Sequence, residues 1–241
     1  MVRQLKSLNM SNMLLEVKNL DVSLDGEKIL ENLSFQVKQG EILTVLGPNG
    51  SGKSVLLKTL LGFLPYEGII KWSKKPKIGY LPQGLNQLMI KDFPLTVQDF
   101  FALKNIPSKN KEIEKYLALV GLEKDILFKK AGSLSGGQFQ RMLVAWVLIS
   151  HPEVIFFDEP TTGIDIGGGE TVYSLLHNIW KQEKLTIFLV THDLNIVYKH
   201  STNVLCLNRK GYHCFGTPKD ILSMETLEKV FGKEIKLYEH N

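Results

Sequence analysis

The sequence predicts an α/β fold: a parallel sheet flanked by helices, with an N-terminal antiparallel β subdomain and an inserted small helical subdomain. Short apolar runs at residues 154–157, 187–190 and 204–207 alternate with helical stretches at 171–180 and 194–200, as in a sheet buried on both faces. Residues 14–22 and 29–37 instead read as a strand pair, joined by a turn at Asp25-Gly26-Glu27, where Asp-Gly tolerates positive φ. Residues 68–72 and 78–81 are expected to complete that antiparallel sheet. Helical periodicity at 95–103 and 110–120, with Pro107 between, places the insertion at about 84–134.

The strand expected at residues 41–46 runs into Gly47-Pro48-Asn49-Gly50-Ser51-Gly52-Lys53-Ser54, and a helix opening at Val55 follows. The stretch fits G-x-x-x-x-G-K-[ST] in the order strand, glycine loop, helix. Glycines let consecutive N–H groups point into one concavity, and the helix start favours anions. Gly47 to Val55 are therefore read as nucleotide-binding. Lys53 is expected to reach the β- and γ-phosphates, and the Ser54 hydroxyl to ligate Mg²⁺. This motif makes the parallel core a P-loop NTPase (RecA-like) core.

The chain has 241 residues, 44% of them hydrophobic, enough for one large α/β domain or two modest ones. A net charge of +4 without a long basic run argues against nucleic acid as a partner. The densest basic stretch, residues 71–77, reads as a solvated hairpin edge. The two cysteines, Cys206 and Cys214, form no C-x-x-C pair and fit a reducing compartment. No apolar run reaches membrane-spanning length. Residues 1–13 lack an apolar signal core and are read as a dispensable extension, with Met10 or Met13 as alternative starts.

Further motifs follow the glycine loop. Asp158 and Glu159 end the apolar strand at 154–157, where parallel sheets bind ligands. Asp158 is expected to hold Mg²⁺, and Glu159 to polarise an attacking water. His192 ends the strand at 187–190 and is placed to hydrogen-bond the γ-phosphate. Gln83, at the junction with the helical insertion, is placed to sense Mg²⁺ and the γ-phosphate. Leu134-Ser135-Gly136-Gly137-Gln138 opens a strong helix at 140–149. Its serine and glycines make a second phosphate-binding surface. A second such surface is best explained by a dimer, in which Ser135, Gly136, Gly137 and Gln138 of one copy close on ATP held by the other.

With these elements in this order, the chain resembles the nucleotide-binding subunit of ABC transporters, from about residue 14 to 232. The resemblance identifies LSGGQ as the signature, Gln83 as the Q-loop, His192 as the switch histidine, and Gly163-Ile164-Asp165 as the D-loop. It implies an ATPase with Glu159, His192 and Lys53 as catalytic residues. It also implies a nucleotide-binding domain at 14–235 with a tail at 236–241. The implied partners are a membrane permease, a second copy head to tail, and indirectly an extracytoplasmic substrate-binding protein. The implied location is the cytoplasmic face of the membrane. Two departures stand out. Leu24 occupies the position where the family stacks an aromatic residue on adenine. Gly167-Gly168-Gly169 lies where a helix should begin, which predicts a delayed or frayed start.

Residues 95–100, 203–209 and 213–218 are similar to the zinc/manganese importer ATPases. The alternatives are an importer for iron chelates or cobalamin, or a soluble non-transport ATPase. A phosphate-loop kinase has no use for LSGGQ. His213, Cys214 and His240 are not read as metal ligands, because their spacing matches no zinc set, and Cys206 reads as a core residue.

Overall fold

Asp25 and Gly26 both adopt positive φ, 51° and 82°, and place Leu24 opposite Glu27. This two-residue turn matches the right-handed twist of the strands it joins, β1 (Met13–Leu24) and β2 (Glu27–Lys38). The computed structural model describes residues 12–85, 87–104, 110–160 and 166–232. They fall into two compact units, Met1–Lys75 with Thr186–Asn241, and Pro76–Leu185.

In the first unit, β3 (Ile42–Leu46) is buried at every position and leads into α1 (Lys53–Leu60). The strand β4 (Glu67–Trp72) then pairs antiparallel with β1, giving the order β2-β1-β4.

The chain continues into the second unit with β5 (Ile78–Leu81). The expectation that residues 78–81 complete the antiparallel sheet is not met: that sheet holds only β2, β1 and β4 among the described residues. Instead β5 runs parallel to β6, Ile78 opposite Val154 and Leu81 opposite Phe157. Packing explains the choice: a Cβ on Gly79 would lie 2.5 Å from Val147 Cγ1, so this strand is shaped to lie against the helix before β6. Next come α2 (Val97–Ala102) and α3 (Asn110–Leu119). A reciprocal Thr96–Asp99 capping box starts α2, and those bonds hold the Asp99 carboxyl below its ordinary range. Val97 and Phe101 are buried and Phe93 is exposed, so the apolar residues of this segment divide between core and surface.

The signature helix α4 (Gly136–Leu148) buries Phe139, Met142, Leu143 and Val147. Trp146 packs on Phe100 at 5.6 Å between ring centroids and donates Nε1–H to Phe100 O at 3.2 Å. The strand β6 (Val154–Asp158) follows, then α5 (Ile166–Glu183). The helix start is not delayed by Gly167, Gly168 and Gly169, which lie inside its first turn. First-turn N–H groups lack intrahelical partners in any case. Burial of Val172, Tyr173, Leu176 and Ile179 further along outweighs the glycine penalty. The expected D-loop residues Gly163, Ile164 and Asp165 lie outside the described residues.

Back in the first unit, β7 (Thr186–Thr191) pairs parallel with β3, and α6 (Leu194–His200) follows. The strand β8 (Asn203–Leu207) pairs parallel with β3 on its other side and antiparallel with β9 (His213–Gly216). Neither β9 nor the closing helices α7 (Pro218–Ile221) and α8 (Met224–Phe231) is among the elements expected from the sequence, although Leu227 and Val230 of α8 stand at helical spacing. They form by packing Ile221, Leu227 and Val230 with Leu46, Val204 and Cys206. Cys206 is a core residue, directly opposite Cys214, and both thiols are free.

Candidate nucleotide site

The glycine loop joins β3 to α1. A Cβ on Gly47 would lie 2.1 Å from Leu207 O, so only glycine fits there. Gly50 and Gly52 adopt φ of 78° and 92°, and Gly52 caps α1 with no side-chain acceptor. The first-turn N–H groups of α1 are thus not claimed by a capping side chain, and that turn carries no acidic residue. Lys53 is 6% exposed, and its Nζ donates to Gly47 O and Pro48 O, each at 2.9 Å. Ser51 is buried with its Oγ lacking a protein partner, while Ser54 and Val55 are half-buried on the first turn of α1. Pro48 is half-buried, and Asn49 and Gly50 are exposed at the loop tip.

Strand β7 carries His192 to the same end of the sheet. Thr191 is in register with Leu46, so His192 leaves its strand at the level where Gly47 leaves β3. The imidazole is exposed. Asp193 fixes the backbone beside it by accepting from Asn195 N at 2.8 Å, while Asp193 N donates to Thr191 Oγ1 at 3.1 Å. That capping role of Asp193 was not read from the sequence, although Asp before an apolar helix is its usual signal.

In the second unit, Asp158 is buried at the end of β6. Burial first, and the Asp158 charge second, push the Tyr80 hydroxyl above its ordinary pKa. Glu159 follows at φ 49°, left-handed and costly for a residue with a Cβ. Its Oε2 accepts a 2.9 Å hydrogen bond from Gln83 Nε2, so two residues assigned separate sequence roles meet. Ser135 and Gln138 form a reciprocal capping box at the tip of α4: Ser135 Oγ accepts from Gln138 N at 3.2 Å, and Gln138 Oε1 from Ser135 N at 3.1 Å. A Cβ on Gly137 would meet nothing within 4 Å, so this helix tip is open to an approaching surface.

These donors fit a nucleoside triphosphate. The loop has a concavity that a Cβ at Gly47 would fill, an α1 start without a side-chain cap, and a buried ammonium. In the first unit the Ser54 hydroxyl is an oxygen ligand of the kind Mg²⁺ takes, and in the second, described by itself, so is the Asp158 carboxylate. Fold and site together define a P-loop nucleoside triphosphatase.

Residues 30–162 match the ABC transporter family. The chain is 38% identical over 233 residues to the zinc import ATP-binding protein ZnuC of Wigglesworthia glossinidia brevipalpis, covering 95% of this chain and 98% of that protein. It is 37% identical over 235 residues to ZnuC of Buchnera aphidicola subsp. Schizaphis graminum (strain Sg), covering 95% and 96%. The solved structure of cbiO1 from Clostridium perfringens, part of the ABC transporter complex cbiONQ, aligns with a TM-score of 0.78 at 28% identity. That alignment covers 90% of this chain and 94% of the other. The chain belongs to the ABC transporter family, and as a member it is an ATPase whose hydrolysis is coupled to transport. Among the described residues, no helix is long and apolar enough to cross a membrane.

Proposed function

We propose that this chain is the ATP-hydrolysing subunit of a zinc importer, working as a head-to-tail homodimer against a separate membrane permease. It sits on the cytoplasmic face of the membrane, and an extracytoplasmic binding protein delivers the ion to the permease. The nucleotide-binding domain is residues 14–235, with the helical insertion at about 84–134. Zinc is favoured over manganese because relatives aligned along 95% of this chain carry the zinc import name.

The residues divide the work. Gly47 to Ser54 and the first-turn N–H of Val55 bind the phosphates, and Lys53 neutralises their charge. Ser54, Gln83 and Asp158 hold Mg²⁺, which screens the phosphate oxygens when bound. Glu159 accepts a proton from water as it attacks, and His192 with Lys53 stabilises the charge that develops. Ser135, Gly136, Gly137 and Gln138 close on the partner copy's phosphate loop. Leu88, Met89 and Phe93, exposed just after Gln83, offer the permease an apolar contact.

The observation that carries this reading is the open, capped tip of α4. Its glycines bear no side chain to block an incoming phosphate, and one loop already suffices for one nucleotide in one chain. Zinc uptake in a strain lacking the chain, complemented with wild type or Lys53→Ala, tests it. Wild type should restore zinc accumulation and the variant should not. Restoration of iron-chelate or cobalamin uptake instead would overturn the substrate assignment.

A further inference from the structure

Three consecutive carbonyls of the phosphate loop each accept a hydrogen bond from a cation. Lys53 serves Gly47 O and Pro48 O. Asn49 O is served by Arg209, through Nε at 2.8 Å and Nη2 at 2.5 Å. Arg209 lies 160 residues from Asn49 in sequence, on the turn between β8 and β9.

That turn is built to present the guanidinium. Asn208 Oδ1 accepts from Lys210 N at 2.7 Å and Tyr212 N at 2.9 Å, and Asn208 Nδ2 donates to Lys229 O at 2.9 Å. The turn is thereby fastened to its own backbone and to α8. Its fit to the loop is close: a Cβ on Gly50 would lie 3.3 Å from Arg209 Nε and Nη2. Leu207 O meets the loop at Gly47 in the same way.

The consequence follows from peptide geometry. In a planar trans peptide, C=O and N–H point in opposite directions. Fixing the Asn49 carbonyl therefore fixes the direction of the Gly50 N–H, one of the donors the loop offers to an anion. A glycine at φ 78° has no side chain to hold that peptide, so the constraint comes from outside. The roles of the two cations also differ. Lysine has freely rotating donors that can transfer to phosphate oxygens, whereas the planar fork of Arg209 places two donors on one carbonyl.

We propose that Arg209 is a positioning residue of the phosphate loop: it clamps the Asn49 carbonyl, aims the Gly50 N–H at bound phosphate, and adds a positive charge beside the loop. This rests on the reading that Gly47–Ser54 binds ATP.

The test uses the purified full chain and a non-hydrolysable ATP analogue with Mg²⁺. Arg209→Ala should weaken binding by about tenfold, the scale of a charge-assisted hydrogen bond at a partly exposed site. The KM for ATP should rise to match while kcat stays within about twofold. Arg209→Lys should recover part of the affinity, since it keeps the charge and loses the fork. Hydrogen exchange of the loop amides should quicken in Arg209→Ala, without a fall in the melting temperature measured without nucleotide. Wild-type affinity in Arg209→Ala, alongside lost affinity in Lys53→Ala, overturns the proposal and leaves the loop reading standing. Wild-type affinity in Lys53→Ala overturns both. Should Arg209→Ala fail to fold, the affinity of Arg209→Lys against wild type decides in the same terms.

Discussion

Gln83 hands an amide hydrogen to Glu159 across 2.9 Å, joining the residue that precedes the helical insertion to the residue that follows the buried strand β6. Glu159 also sits at a left-handed φ of 49°. Strain of that kind, of order 1–3 kcal/mol, persists where surrounding structure imposes it. The carboxylate is thus aimed by its backbone and bonded by the Gln83 amide.

Glu159→Gln removes the proton acceptor and keeps the shape. Turnover should fall by at least about a hundredfold, the usual contribution of a general base. ATP affinity should stay within about threefold, because the phosphate loop is untouched. Phosphate release and nucleotide binding measured on the same preparation check both. Size exclusion with saturating ATP should show the variant as a dimer. A variant that turns over at the wild-type rate removes Glu159 from the base role.

Local patterns made most of this site legible. The phosphate loop, the α4 cap and the β1–β2 turn each lie within a few consecutive residues, so their geometry is written in neighbouring side chains. What was not legible depends on distant partners. β5 reads as a fourth strand of the antiparallel sheet until Gly79 is seen against Val147. Arg209 carries no motif, since its carbonyl acceptor lies on another part of the chain. β9 exists because β8 offers it an edge, and its own residues alternate too weakly to announce it. The three glycines at the head of α5 mislead because local propensity opposes a helix that burial of its later turns imposes.

Lys104 should make stability depend on alkaline pH. Its ammonium is half-buried against Trp146, 4.3 Å from the ring centroid, and donates to Val147 O at 3.4 Å and to Ser150 Oγ. Burial first, and nearby Lys77 second, bring its pKa down to about 8. Below that pH both folded and unfolded chains carry the proton, and the desolvation cost is fully present. As pH rises past about 8 the folded chain releases the proton, while the unfolded chain keeps it to about 10.5. The unfolded chain then binds more protons, so stability attributable to this residue rises with pH. The melting temperature of wild type relative to Lys104→Met should therefore climb between pH 7 and 10. A flat difference would show that the ammonium is fully solvated.

Leu24 bears on nucleotide choice. It is half-buried as the last residue of β1, beside the turn, and has no π-face to offer a base. Wild type should therefore bind ATP and GTP within a few-fold of each other. Leu24→Tyr should tighten ATP binding by roughly three- to tenfold, the scale of one aromatic stacking contact. Competition binding with both nucleotides measures this. An unchanged ATP affinity in Leu24→Tyr would place the base elsewhere.

The paired cysteines should react unequally. Cys206 and Cys214 face each other across β8 and β9, and their thiols hydrogen bond. Donation from the Cys206 thiol, then from its backbone N–H and the Tyr212 hydroxyl, favours the Cys214 thiolate and lowers that thiol's pKa despite partial burial. The same bond, with burial, drives the Cys206 thiol upward. Thiolate is the reactive form, so iodoacetamide at neutral pH should label Cys214 first and leave Cys206 unmodified in the folded chain. Cys206→Ala and Tyr212→Phe should each slow that labelling by removing a donor. Peptide mass mapping after timed alkylation reads the order directly, and equal labelling of the two residues would contradict the hydrogen-bond account.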